Sequence, residues 1–119
     1  MPSKSPAPKR WLIDIRHNIH LARSFIEGLE YEAFRLDTLR IYAVVRCLEI
    51  ISEASRRLPP ELKARHPEIS WTEIAGAGNV YRHEYEDVAA RRVWATARHD
   101  LSRLLAAVDQ ELAQSDRSS

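Results

Sequence analysis

From Val88 to Leu112 the chain places an apolar residue at every third or fourth position. Val93 or Trp94, then Ala97, Leu101, Leu104, Val108 and Leu112, mark one stripe over some six turns of helix. A second stripe runs through Trp11, Ile15, Ile19, Ala22, Ile26 and Leu29, between about Arg10 and Leu29. Only three glycines interrupt the 119 residues, and the prolines collect near the N-terminus and at Pro59-Pro60 and Pro67. So little punctuation rules against the many short strands of a sandwich or barrel.

Two more helices complete the pattern. One starts at Asp37, a suitable N-cap, and runs to about Leu58, where Pro59-Pro60 stops it. Leu39, Tyr42, Ala43, Cys47, Ile50, Ile51, Ala54 and Leu58 form its apolar face, and Val44, Val45 and Leu48 add apolar residues on other sides. A helix apolar on several sides in so small a domain implies a partner surface. After a helical turn at 61–65, Ser70-Trp71-Thr72-Glu73 matches a capping box and opens another helix. The expected fold is all-α: an up-and-down bundle of four main helices with a short extra helical turn, over residues 10–113. The tails 1–9 and 114–119, poor in apolar residues, are expected to be disordered.

Charge and cysteine content narrow the function. Eighteen basic residues against 17 acidic give a net charge of +1, which excludes a strongly basic nucleic-acid coat and leaves room for a local patch. Cys47 is the single cysteine, so neither an internal disulfide nor a cysteine-based zinc site can form. His17 and His20 form an i,i+3 pair without a third metal ligand nearby, and no metal or cofactor is expected. No apolar run approaches the roughly 18 residues of a membrane span, and no signal-peptide core follows the N-terminus. A cytoplasmic protein is the simplest reading.

The chemistry concentrates in GAGNVYRHEY, residues 76–85. If the helix runs on through residue 83, Asn79, Arg82 and His83 fall within about 100° of arc. A histidine can move a proton near neutral pH, and an adjacent arginine can neutralise charge developing on a phosphate. Those parts serve metal-independent RNA cleavage, in which the 2′-hydroxyl attacks the neighbouring phosphate. The alternative is a polar helix end with a capping histidine. On the preceding helix, Arg46, Glu49 and Glu53 share a stripe. They either line the cleft, with Arg46 on RNA phosphate and a glutamate holding His83, or form an intrahelical ion pair beside a dimer contact.

Arg46 to Ala54 reads R-x-L-E-I-I-x-E-A, Pro67 to Gly76 reads P-E-I-x-W-x-E-I-A-G, and Asn79 to Tyr85 closes with N-x-x-x-H-x-Y. With these motifs in this order, the chain resembles the HepT-like group of HEPN domain proteins over roughly residues 10–112. The resemblance implies an all-helical homodimer, the ribonuclease toxin of a type VII-like toxin–antitoxin module, whose partner is a minimal nucleotidyltransferase. The family's active motif, R-x-x-x-x-H-x-Y, puts the histidine at His83 and the tyrosine at Tyr85, and would put the arginine where this chain has Gly78. Arg82 is the candidate to replace it. The other reading is a binding module that docks on the nucleotidyltransferase without cutting RNA. In such proteins the motif tyrosine accepts AMP from the partner enzyme, which assigns that modification to Tyr85.

Overall fold

The computed structural model describes residues 7–79 and 86–118, and every element in them is helical. In chain order these are α1 (Ala7–Ile26), α2 (Tyr31–Phe34), α3 (Thr38–Arg56), α4 (Pro60–Ala64), α5 (Trp71–Gly76) and α6 (Glu86–Ala95). A π turn (Thr96–Asp100) then leads directly into α7 (Leu101–Ser118). Helix α1 is the centre of the bundle, packed along α3 on one side and α7 on the other. Among the described residues no helix is long and apolar enough to cross a membrane.

Both long stripes form the core. Ile15, Ile19, Ala22 and Ile26 of α1 are buried, as are Val93, Ala97, Leu101, Leu104, Val108 and Leu112. At the first ambiguous position Val93 enters the core, while Trp94 packs on Phe34 and Tyr31, with ring centroids 5.1 and 5.9 Å away. That aromatic contact explains α2, a four-residue helix whose Phe34 is fully buried. Gly28 takes a φ of +79°, the left-handed conformation that ends α1.

A ladder of polar contacts fixes α1 antiparallel to α7. Lys9 pairs with Asp116 at 3.0 Å, Arg16 with Asp109 at 3.8 Å, and Arg23 donates to the hydroxyl of Ser102. The rungs step by seven residues on both helices, the repeat that keeps two helices in one seam.

Asp37 caps α3 as expected, accepting from the Arg40 backbone at 3.1 Å. Two expectations are corrected. Leu39 and Tyr42 do not join the core: the buried side of α3 is Ile41, Val44, Cys47, Leu48 and Ile51, leaving Leu39 82% and Tyr42 57% exposed. Ser70 occupies the N-cap position of α5, but its hydroxyl makes no capping bond. Trp71 anchors that helix instead, donating its indole N–H to the carbonyls of Lys63 and His66.

One buried polar cluster ties the α4 end of the bundle to α7. The Nε2–H of His66 donates to Glu111 at 2.7 Å, and Arg65 reaches both oxygens of the same carboxylate at 2.8 and 3.0 Å. The hydrogen bonds from Arg65 hold the Glu111 carboxyl below its ordinary value of 4.5, against the opposing effect of burial. A depressed folded-state value adds stability above pH 4.5, and that stability is lost as pH falls through the folded value. Thermal melts should therefore fall more steeply with acid below about pH 4.5 in wild type than in Glu111→Gln. Parallel acid limbs would exclude this cluster as the cause.

Candidate functional site

Helix α5 ends at Gly76, and residues 77–79 continue as a 3₁₀ turn laid against α3. The seam is unusually close. A Cβ on Gly78 would lie 2.7 Å from Glu49 Cα, inside any real carbon–carbon contact, whereas a Cβ on Gly76 would meet open space. Glycine at 78 lets the two backbones touch. Ser52 bolts the seam, donating to the Ile74 carbonyl at 2.8 Å and accepting from Gly78 N–H at 3.0 Å. Sequence reasoning missed Ser52. Its signal was a small polar residue on the apolar side of a helix, opposite the Gly-Ala-Gly run.

Arg56 fastens the same seam from the surface. It donates to the Ala75 carbonyl and, at 3.0 Å, to Glu53, which also accepts from Arg57 at 2.9 Å. Those bonds, Arg56 first, hold the Glu53 carboxyl below its usual range. Glu53 thus acts on the end of α5 through Arg56.

Glu49 stands against Gly78 and accepts from Arg46 at 3.2 Å, so the Arg46 guanidinium, 70% exposed, is held beside the seam. Asn79 is exposed at the end of the turn. The structure therefore brings Arg46, Glu49 and the 78–79 turn to one place, and the Arg46–Glu49 ion pair is intrahelical. Arg82, His83 and Tyr85 lie outside the described residues. The α-helix that was to carry Asn79 and His83 on one arc ends at Gly76, so the ideal-helix arc does not apply across 77–79. Cys47 is buried on the other side of α3, and burial pushes its thiol above the ordinary value, making it an unreactive core residue. Among the described residues no group of three or more His, Cys, Asp or Glu could hold a metal.

One cleft opens at this seam and a second lies beside it along the π turn. The first, of about 580 Å³, lies between the end of α5, with Ile74, Gly76 and Ala77, and the π turn with His99. The other, of about 500 Å³, lies between His20, Arg23 and Glu27 of the α1 end and Arg98 and His99 of the π turn. His17 lines neither cleft.

The sequence is similar to a known family and to several known proteins. The family model for ribonuclease HepT-like proteins matches residues 15–111. A "Probable ribonuclease HepT" of Thermococcus cleftensis is 38% identical over 81% of this chain and 87% of its own length. Two proteins of Methanocaldococcus jannaschii, provisionally named as RNases, are 36% and 33% identical. Each match covers 78% of this chain, with 77% and 80% of the respective relatives. No solved structure matches significantly. With an all-helical bundle under a match that spans nearly the whole of it, the chain belongs to the ribonuclease HepT-like family.

Proposed function

We propose that this chain is a metal-independent endoribonuclease, the cytoplasmic toxin of a toxin–antitoxin pair. The observation that carries the reading is the match of the ribonuclease family over residues 15–111, which includes the N-x-x-x-H-x-Y run at 79–85. His83 is the acid/base group. It takes the proton from a ribose 2′-hydroxyl as that oxygen bonds to phosphorus and the bond to the 5′-oxygen breaks, and a proton is returned to the leaving oxygen. Arg82 stabilises the charge on the phosphoryl oxygens in place of an arginine at 78, and Asn79 binds a phosphate oxygen or orients the ring. Arg46, set beside the seam by Glu49, contacts an adjacent phosphate. The purified chain should cut single-stranded RNA at an undiminished rate in EDTA. RNA left intact by a folded protein would favour the second reading, a docking module without nuclease activity. The observation behind that alternative is Gly78, which stands where the family motif has its arginine.

The toxin acts as a homodimer. Leu39, 82% exposed, lies with Tyr42 on the side of α3 turned away from the core, and Leu36, 72% exposed, just precedes the helix; together they offer apolar surface that a second copy would cover. Light scattering should give twice the 13.7 kDa of the chain, and Leu39→Glu should reduce it to one. A monomeric wild type at micromolar concentration would contradict the dimer.

Silencing falls to Tyr85. Its hydroxyl attacks the α-phosphorus of ATP on a cognate nucleotidyltransferase antitoxin, pyrophosphate leaves, and AMP remains on the ring oxygen. Tyr85 lies two residues beyond His83, so the added phosphate charge and bulk would oppose RNA at the same site. Co-expression with the antitoxin should raise the toxin's mass by one or more AMP units, and Tyr85→Phe should prevent the gain. A gain that survives in Tyr85→Phe would place the modification elsewhere.

A further inference from the structure

The ladder between α1 and α7 changes character at its last rung. Lys9 and Arg16 meet aspartates, but Arg23 meets the hydroxyl of Ser102, so its charge has no carboxylate across the seam. Arg98 likewise has no ion pair among the described residues. Its guanidinium stacks 5.2 Å over the Trp94 ring, an arrangement that leaves its edge N–H groups free to donate. Among the described residues neither arginine has an acidic group within ion-pairing distance. Both line the cleft of about 500 Å³, together with the exposed imidazoles of His20 and His99, and Glu27 is its single acidic residue.

The π turn builds this arrangement. Turns of this kind in an otherwise regular helix occur frequently at functional sites. Here Thr96–Asp100 keeps Ala97 in the core and leaves Arg98, His99 and Asp100 exposed in succession. His99 also lines the neighbouring cleft, which extends to Gly76 and Ala77 at the start of the stretch that carries His83. The two clefts thus share His99 in their walls.

We infer that the cleft between the end of α1 and the π turn is a second phosphate-binding site, which holds the RNA backbone away from the scissile bond. The inference rests on the ribonuclease reading. Arg23 and Arg98 hold the phosphate oxygens through charge-assisted hydrogen bonds, and His20 and His99 add N–H donors at the rim. Such contacts are blind to sequence and set affinity and register along the strand.

The test is binding of a fluorescent, single-stranded 2′-O-methyl RNA, which cannot be cut by 2′-hydroxyl attack, across a salt series. For the Arg23→Gln/Arg98→Gln double variant, affinity should fall about tenfold. The slope of log affinity against log salt should become shallower by about 1.4, from two phosphate contacts at about 0.7 each. KM on long RNA should rise with kcat unchanged, while cleavage of a dinucleotide stays at the wild-type rate. Arg98 is exposed, so Arg98→Gln alone, expected to give half the slope change, serves if the double variant melts early. A double variant with wild-type affinity and slope, in a protein whose wild type cuts RNA, overturns the second site and leaves the nuclease standing. A wild type that neither binds nor cuts RNA overturns both. Loss of pyrophosphate binding with RNA affinity unchanged would assign the cleft to a free phosphate ligand and overturn its role on the RNA path.

Discussion

His83→Ala is expected to slow RNA cleavage by about 10²–10⁴-fold, the usual contribution of a positioned acid/base group. Helical content and the thermal midpoint should stay close to wild type, and cells expressing the variant should lose the toxic phenotype. Arg82→Ala should cost nearly as much if Arg82 supplies the charge that the family motif draws from an arginine at position 78. Rate measurements on one RNA, with circular dichroism as the control for folding, separate these effects. Undiminished activity in His83→Ala would remove the histidine from the chemistry. A fully active Arg82→Ala would leave Arg46 as the cation beside the 78–79 turn.

Restoring the motif arginine should not restore a stronger enzyme. In Gly78→Arg the first side-chain carbon alone would lie 2.7 Å from Glu49 Cα and 3.1 Å from Glu49 N, and no rotamer moves a Cβ away from a neighbouring backbone. The turn must leave α3, stretching the Ser52 bonds to Gly78 and Ile74. Overpacking of this kind costs about 1–3 kcal/mol or somewhat more. Gly78→Ala should show most of the loss, because the collision is with Cβ. Gly76→Ala, where a Cβ meets open space, should be neutral or slightly stabilising. Denaturant melts of the three variants test this directly. A Gly78→Arg protein as stable as wild type and faster on RNA would mean that the seam opens at little cost.

The stripes on α1 and α7 were legible because their apolar residues keep helical spacing and one side of each helix is solvated. Helix α3 was legible as a helix but not in its orientation. With apolar residues around most of its circumference, spacing alone could not say that Leu39 and Tyr42 face away from Ile41 and Val44. Helix α2 has four residues, too few for a period, and depends on the tertiary contact of Phe34 with Trp94. The π turn left no trace, because the steps of four at Val93, Ala97 and Leu101 also occur at Trp11, Ile15 and Ile19 in the regular helix α1. At the site, the R-x-x-x-x-H-x-Y spacing pointed to His83 and to the missing arginine. The reason glycine suits position 78 was hidden, because it lies 29 residues away at Glu49, across a backbone contact that no local pattern encodes.

The nuclease reading is tested most directly by the ends it leaves on RNA. Purified wild-type protein, incubated with a defined single-stranded RNA in EDTA, should give fragments ending in a 2′,3′-cyclic phosphate, each followed by a fragment starting with a 5′-hydroxyl. Mass spectrometry distinguishes these from hydrolytic ends. Fragments carrying a 3′-hydroxyl and a 5′-phosphate, or cleavage that stops in EDTA, would contradict 2′-hydroxyl attack assisted by His83.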